Sequence, residues 1–188
     1  FPRTANKVLK AYLLAEGVPA KNIIEEYTPF HHQDYQTIVG KIKKFAASGD
    51  ACVLSTINGD SNVPFYKEFA NQGLTSEDCP IMAFSVAEDE LRAMDVPPLV
   101  GHLACWNYYQ SIKSASNRKF VKAFKTYCRN KGLPGGAKRV TDDPIEAAYF
   151  GVYVWKAAVE KAKSFEVDKV RQADVFVVLD HVQYRHRY

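Results

Sequence analysis

Gly49-Asp50-Ala51-Cys52-Val53-Leu54-Ser55-Thr56-Ile57-Asn58-Gly59-Asp60-Ser61-Asn62-Val63-Pro64-Phe65-Tyr66 is the stretch that decides the fold. Its apolar run, Ala51 to Ile57, stops at a polar turn, and an amphipathic segment starts at once. That is the pattern of a strand, a tight turn and a helix N-terminus. In an open α/β sheet such turns lie at the carboxyl edge of the strands, where ligands bind, and the helix start adds free N–H groups and partial positive charge. Asn58 to Ser61 is therefore the first place to look for a bound molecule. The plainer reading is a connection in which Gly59 takes a positive φ and Asp60 or Ser61 caps the helix. A second run, Pro80 to Val86, ends the same way, on Ser85 and then Ala87-Glu88-Asp89-Glu90. Two strand ends carrying ligand-type side chains predict a shared rim.

Outward from there the elements alternate. Thr4 to Glu16 reads as a helix with Val8, Leu9, Tyr12 and Leu13 on one face, and Asn22 to Tyr27 as a short strand. Asp34 to Ala47 is a helix with Tyr35, Ile38, Ile42 and Phe45 inward. Strand Ala51 to Ile57, helix Asn62 to Gln72, strand Ile81 to Val86, a short helix at Glu88 to Met94 and strand Gly101 to Tyr108 follow. This spacing predicts βαβ units and a mainly parallel sheet. Asn117 to Arg129 is helical, Gly132 to Gly136 a loop, and Pro144 to Lys163 a long helix apolar enough to be buried on more than one side. A short helix at Val167 to Ala173 precedes Asp174-Val175-Phe176-Val177-Val178-Leu179, a continuous apolar strand of the buried parallel type.

Composition excludes several functions. The 188 residues are 47% hydrophobic, enough for one α/β domain with a real core. The net charge of +4 is spread over helix faces, and only Gln183 to Tyr188 is locally basic. No basic stripe with interleaved aromatics marks a nucleic-acid groove. No apolar run reaches the roughly 20 residues that span a bilayer. Phe1 is not a methionine and no secretory signal pattern precedes the fold, so the reading takes the chain as processed or excised. Cys52, Cys79, Cys105 and Cys128 have no C-x-x-C spacing and favour buried thiols over disulfides or a zinc site. There is no G-x-S-x-G, P-loop or G-x-G-x-x-G motif. His31-His32 read as solvated residues in a turn and His102 as a hydrogen-bonded structural residue. Glu88, Asp89 and Glu90 are adjacent on a helix and point apart. The expectation is no enzyme, no metal and no cofactor.

Five segments, taken together and in order, resemble a known family: Phe1-Pro2-Arg3-Thr4-Ala5-Asn6; Ser55 to Asn62; Phe84-Ser85-Val86-Ala87-Glu88; Gly101-His102-Leu103-Ala104-Cys105-Trp106-Asn107-Tyr108; and Asp143-Pro144-Ile145-Glu146-Ala147-Ala148-Tyr149. The set is similar to the second lobe of type I periplasmic solute-binding proteins of the urea and short-chain amide group. The resemblance covers residues 1–173, and residues 174–188 depart from it. It implies an α/β three-layer sandwich with a mainly parallel sheet, one of two lobes that close on a small polar solute and deliver it to an ABC permease. The N-terminal lobe and the strand before Phe1 are missing from the sequence, so it looks like a fragment or rebuilt half. The Asp174 to Leu179 run is then expected to fill that strand's slot beside Ala51 to Ile57, completing the sheet.

By the same resemblance Phe1 matches an aromatic that contacts the solute, Asn58 a pocket position, and Ser85 a small polar residue of the cleft. Asp60 belongs to the same turn, and Glu88, Trp106, Tyr108 and Tyr149 are further ligand-binding candidates, the aromatics weighed equally against core packing. An Asn side chain offers a donor and an acceptor on one plane, the complement of an amide or urea. The implied function is binding of urea or a short amide for transport, in the periplasm or at the outer face of a membrane. Two other readings stay open: a cytoplasmic amide sensor of the same fold, and an isolated lobe serving as an interaction module.

Overall fold

The computed structural model describes residues 1–173. The described residues divide between two units, Phe1–Thr141 and the part of Asp142–Tyr188 up to residue 173. The first unit carries a three-stranded sheet, β1 Val53–Ser55, β2 Ile81–Ala83 and β3 Leu103–Ala104, in the order β1-β2-β3 with both pairs parallel. Val53 pairs with Ile81 and Met82 with Leu103. The α/β class and the parallel sheet are as predicted, and each strand falls inside its predicted run.

Helices α1 Pro2–Ala15, α2 Gln36–Ala46, α3 Asn62–Asn71, α4 Glu88–Leu91 and α5 Ala115–Asn130 complete the unit's longer elements. In α3, Asn62, Phe65, Tyr66 and Phe69 are the buried positions, the i, i+3, i+4, i+7 set of one helix face. They meet Tyr35 and Val39 of the α2 region and Ile81 and Ala83 of β2 in a single core cluster. Its aromatic rings pack edge to face, Tyr35 on Phe65 with centroids 5.3 Å apart. His102 sits against Tyr66 and Phe69, and its Nδ1 accepts the Ile81 N–H at 3.0 Å. It is the hydrogen-bonded structural residue the sequence predicted. Burial holds its pKa below the usual histidine value.

Three expectations need correction. The predicted strand Asn22 to Tyr27 is absent: a 3-10 turn at Ala20–Asn22 leads into extended backbone at Ile23 with no strand beside it. A strand needs a neighbour for its ladder, and among the described residues this segment has none. It is held instead by side chains, Lys10 to Glu25 at 2.8 Å and Lys41 to Glu26 at 2.6 Å. Second, only Cys79 and Cys128 are buried; Cys52 and Cys105 are exposed, and all four are free thiols. Both lie one residue outside their strands, Cys52 before β1 and Cys105 after β3, where the apolar run continues but the side chain is left uncovered. Third, the long helix α6 Asp143–Ala162 is not enclosed on several sides. Tyr149, Val152, Tyr153 and Trp155 are all half or more exposed.

In the second unit α6 packs against the helix at residues 167–173 through Ala158, Val154, Val170 and Ala173. Asp142 caps α6, its carboxylate accepting the Ile145 N–H at 3.0 Å. The expected sheet-completing strand Asp174 to Leu179 lies outside the described residues.

Candidate functional site

The carboxyl ends of the three strands open onto a cleft of about 440 Å³ lined by Phe1, Asn58, Phe84, Ser85, Cys105, Trp106 and Asn107. This is the rim the sequence placed at the ends of the first two strand runs, extended to a third. Each wall has a chain-level origin. Asn58 follows β1 and precedes a 3-10 turn, Gly59–Ser61, whose first residue takes φ +63, so Gly59 does supply the positive φ. The turn delivers the chain into α3, where Ser61 occupies the N-cap position without a side-chain capping bond. Ser85 follows β2, and Trp106 follows β3. Phe1 stands at the N-cap of α1, with Pro2 in its first turn.

The polar centre of the cleft is one bond: the Ser85 hydroxyl donates to the Asn58 side-chain oxygen at 2.7 Å. Asn58 is half-buried and Ser85 only 7% exposed. With its oxygen occupied, the Asn58 carboxamide presents its NH2, and the Ser85 oxygen keeps lone pairs to accept. Interchanging the amide oxygen and nitrogen changes which residue plays which part but not the count. Either way the pair shows a solute one donor and one acceptor, side by side. The sequence expectation that Asn58 alone offers both is thereby refined: Ser85 shares the task.

None of the described lining side chains carries a formal charge. Phe1, Phe84 and Trp106 supply apolar walls. The Cys105 thiol lines the cleft, and the other described lining residues include no histidine or carboxylate. Among the described residues no group of three or more His, Cys, Asp or Glu is placed to hold a metal ion.

Four of the sequence-selected residues, Phe1, Asn58, Ser85 and Trp106, thus come together. The others lie elsewhere. Asp60 turns outward and pairs with His31, whose Nδ1 is 3.0 Å from its carboxylate, both side chains largely exposed. That hydrogen bond holds the Asp60 carboxyl below its usual range. Glu88 faces a second depression of about 450 Å³, with Tyr66, Leu91, His102 and Tyr109 among its lining. One Glu88 oxygen accepts the Ser111 N–H at 3.3 Å. Tyr108 closes a buried network, its hydroxyl 2.7 Å from the Asn117 side-chain oxygen and 2.9 Å from the Thr141 hydroxyl. Tyr149 is in the second unit, hydrogen-bonded to Tyr153 at 3.0 Å.

Phe84, Cys105 and Asn107 line the cleft without having been singled out. Their signal was adjacency: they neighbour Ser85 and Trp106 at the strand ends, with Phe84 and Cys105 donating the last ladder bonds, to the Ser55 and Ala83 carbonyls.

A family model described as a periplasmic binding protein domain matches residues 1–183. The chain belongs to that family, which is in general one of periplasmic, non-enzymatic solute-binding proteins. No helix among the described residues is long and apolar enough to cross a membrane.

Proposed function

We propose that this member of the periplasmic binding protein family uses the strand-end cleft to bind a small neutral carbonyl compound bearing N–H groups, of the urea or short-chain amide class. The observation that carries the reading is the Ser85–Asn58 hydrogen bond at 2.7 Å in a cleft whose described lining side chains are all uncharged. A donor and an acceptor set side by side match a carbonyl and its geminal N–H. No described lining side chain would balance the charge of a carboxylate solute, and desolvating an unpaired ion is far costlier than desolvating an amide. The aromatic walls cover the short apolar end of such a solute. In this reading residues 1–173 act as one lobe of a two-lobed receptor, with the opposite lobe supplying the remaining hydrogen bonds and a permease receiving the solute. Asp60, Glu88 and Tyr108 do not line the cleft, so the reading gives them no part in binding.

One lobe leaves part of the solute in water, where the net gain per hydrogen bond is small. The chain alone is therefore expected to bind weakly, and the fitting experiment is an NMR titration of the 188-residue chain with acetamide, urea and acetate. Acetamide and urea should move the signals of Asn58, Ser85 and the Trp106 indole N–H and leave His31 still. Acetate should not. Shifts confined to other residues, or equal response to acetate, would overturn the assignment.

A further inference from the structure

Asn62 does not line the cleft; it is fully buried at the first turn of α3. Yet its side-chain NH2 donates to three backbone carbonyls, Ile57 at 3.1 Å, Gly59 at 3.1 Å and Ser85 at 3.3 Å. Two of these flank Asn58 in the chain, and the third belongs to Ser85 itself. A single planar amide therefore fastens the backbone on both sides of one cleft residue and the backbone of the other. The two residues it ties sit at the ends of neighbouring strands, and their side chains meet in the 2.7 Å bond.

The rest of the residue argues that this donation is what it is there for. Its Oδ1 is buried and has no hydrogen-bond partner among the described residues. A buried acceptor left unpaired is costly, so the carboxamide is not placed to satisfy both of its ends. An apolar side chain would avoid that cost but could not donate.

Resting on the amide-site reading above, we infer that Asn62 is a positioning residue for solute binding, which sets the spacing and orientation of Asn58 and Ser85 without touching the solute. Without it the backbones at the end of β1 and the end of β2 share only the ladder, whose last bond here is Phe84 N–H to the Ser55 carbonyl at 3.0 Å, and the link beyond it is the Ser85–Asn58 side-chain bond itself. The turn at Asn58 is then free to move relative to Ser85. Affinity falls because the pair must be ordered at the moment of binding.

The test is Asn62→Leu, which keeps the branching and the number of heavy atoms and removes the donor, compared at a temperature where both proteins are folded by circular dichroism. Acetamide affinity, read by NMR titration, should fall about tenfold, the scale of one net hydrogen bond. The same change made on Asn58→Ala should cost less than about twofold, because the residue it positions is gone. A separate readout needs no solute: the Asn58 side-chain NH2 signals should move in the leucine variant.

A folded Asn62→Leu protein with unchanged acetamide affinity and unchanged Asn58 signals overturns the inference, as does an equal loss in the two backgrounds. If Asn58→Ala itself leaves acetamide binding intact, the amide-site reading fails and the role of Asn62 is judged on the Asn58 signals alone. Should the leucine variant not fold, the unsubstituted chain still decides. Its Asn62 side-chain NH2 protons should exchange with solvent far more slowly than an exposed amide, and free-solution exchange there means the anchor does not exist.

Discussion

If the cleft binds amides as proposed, Asn58→Asp should convert it to one that favours amidinium cations, and the geometry sets how far. The substitution is isosteric. The Ser85 hydroxyl, now 2.7 Å from the Asn58 oxygen, still has an acceptor to donate to. What changes is the other side of the planar group: an NH2 that donates to a solute carbonyl becomes an oxygen that repels it. Whichever way the native amide is turned, the pair goes from one donor and one acceptor to acceptors alone. The carbonyl of acetamide then loses its partner, which costs about 1–3 kcal/mol, or roughly fivefold to 150-fold in affinity. Asn58 is half-buried rather than enclosed, so the low end of that range applies. Acetamidinium has the same shape, two N–H faces and a positive charge. It should gain, though an ion pair this accessible adds at most about 1 kcal/mol. Parallel NMR titrations with acetamide and acetamidinium measure both arms. Unchanged acetamide affinity in the folded variant would refute the claim that the Asn58 side chain donates to, or shares donation with Ser85 toward, the solute.

Three further predictions concern the frame around the cleft. Burial pushes the Tyr66 phenol up to about 12 from its ordinary 10; as pH rises between these values the unfolded chain loses a proton that the folded one keeps. The associated stability is complete below about pH 10 and declines by about 2–3 kcal/mol toward pH 12, a loss that urea denaturation should find missing in Tyr66→Phe. Gly101 has φ +92, and a Cβ there would come within 2.2 Å of the Ser76 hydroxyl oxygen, so Gly101→Ala should destabilise by at least about 1–2 kcal/mol in thermal denaturation, partly relieved by Ser76→Ala. Thiol labelling of the native protein should modify Cys52 and Cys105 and spare Cys79 and Cys128 until it is unfolded, and high concentrations of acetamide should slow labelling at Cys105 alone.

The helices and the rim were legible because they are written in local chemistry. A period of 3.6 with Phe65, Tyr66 and Phe69 on one face specifies α3 without knowledge of its neighbours, and a polar turn after an apolar run specifies a strand end. The strand expected at Asn22 to Tyr27 shows where that legibility stops. Its residues have strand propensity, and Glu25 and Glu26 reach lysines on two different helices as alternating side chains would. A ladder, however, is a property of two segments, and no propensity of one segment supplies the other. Cys52 and Cys105 illustrate the same limit: an apolar run marks a strand, but whether its last residues are covered depends on what lies across the edge.

The site divides along the same line. Asn58 and Ser85 stood out because polar side chains at strand ends have few structural duties there. Asn62 did not, since an asparagine at the first turn of a helix is the commonest of capping-region residues and its sequence position says nothing of three carbonyls contributed by two separate connections. Only folding brings Ile57, Gly59 and Ser85 within reach of one amide. Tyr108 makes the converse point: it lies two residues beyond Trp106, in the same run, yet its hydroxyl is consumed by Asn117 and Thr141. A residue type suited to a ligand becomes part of a site only when its polar atoms are left unspent by the fold. At this rim that distinction sets Asn58 and Ser85, with a donor and an acceptor still to offer, apart from Tyr108, whose hydroxyl is already engaged.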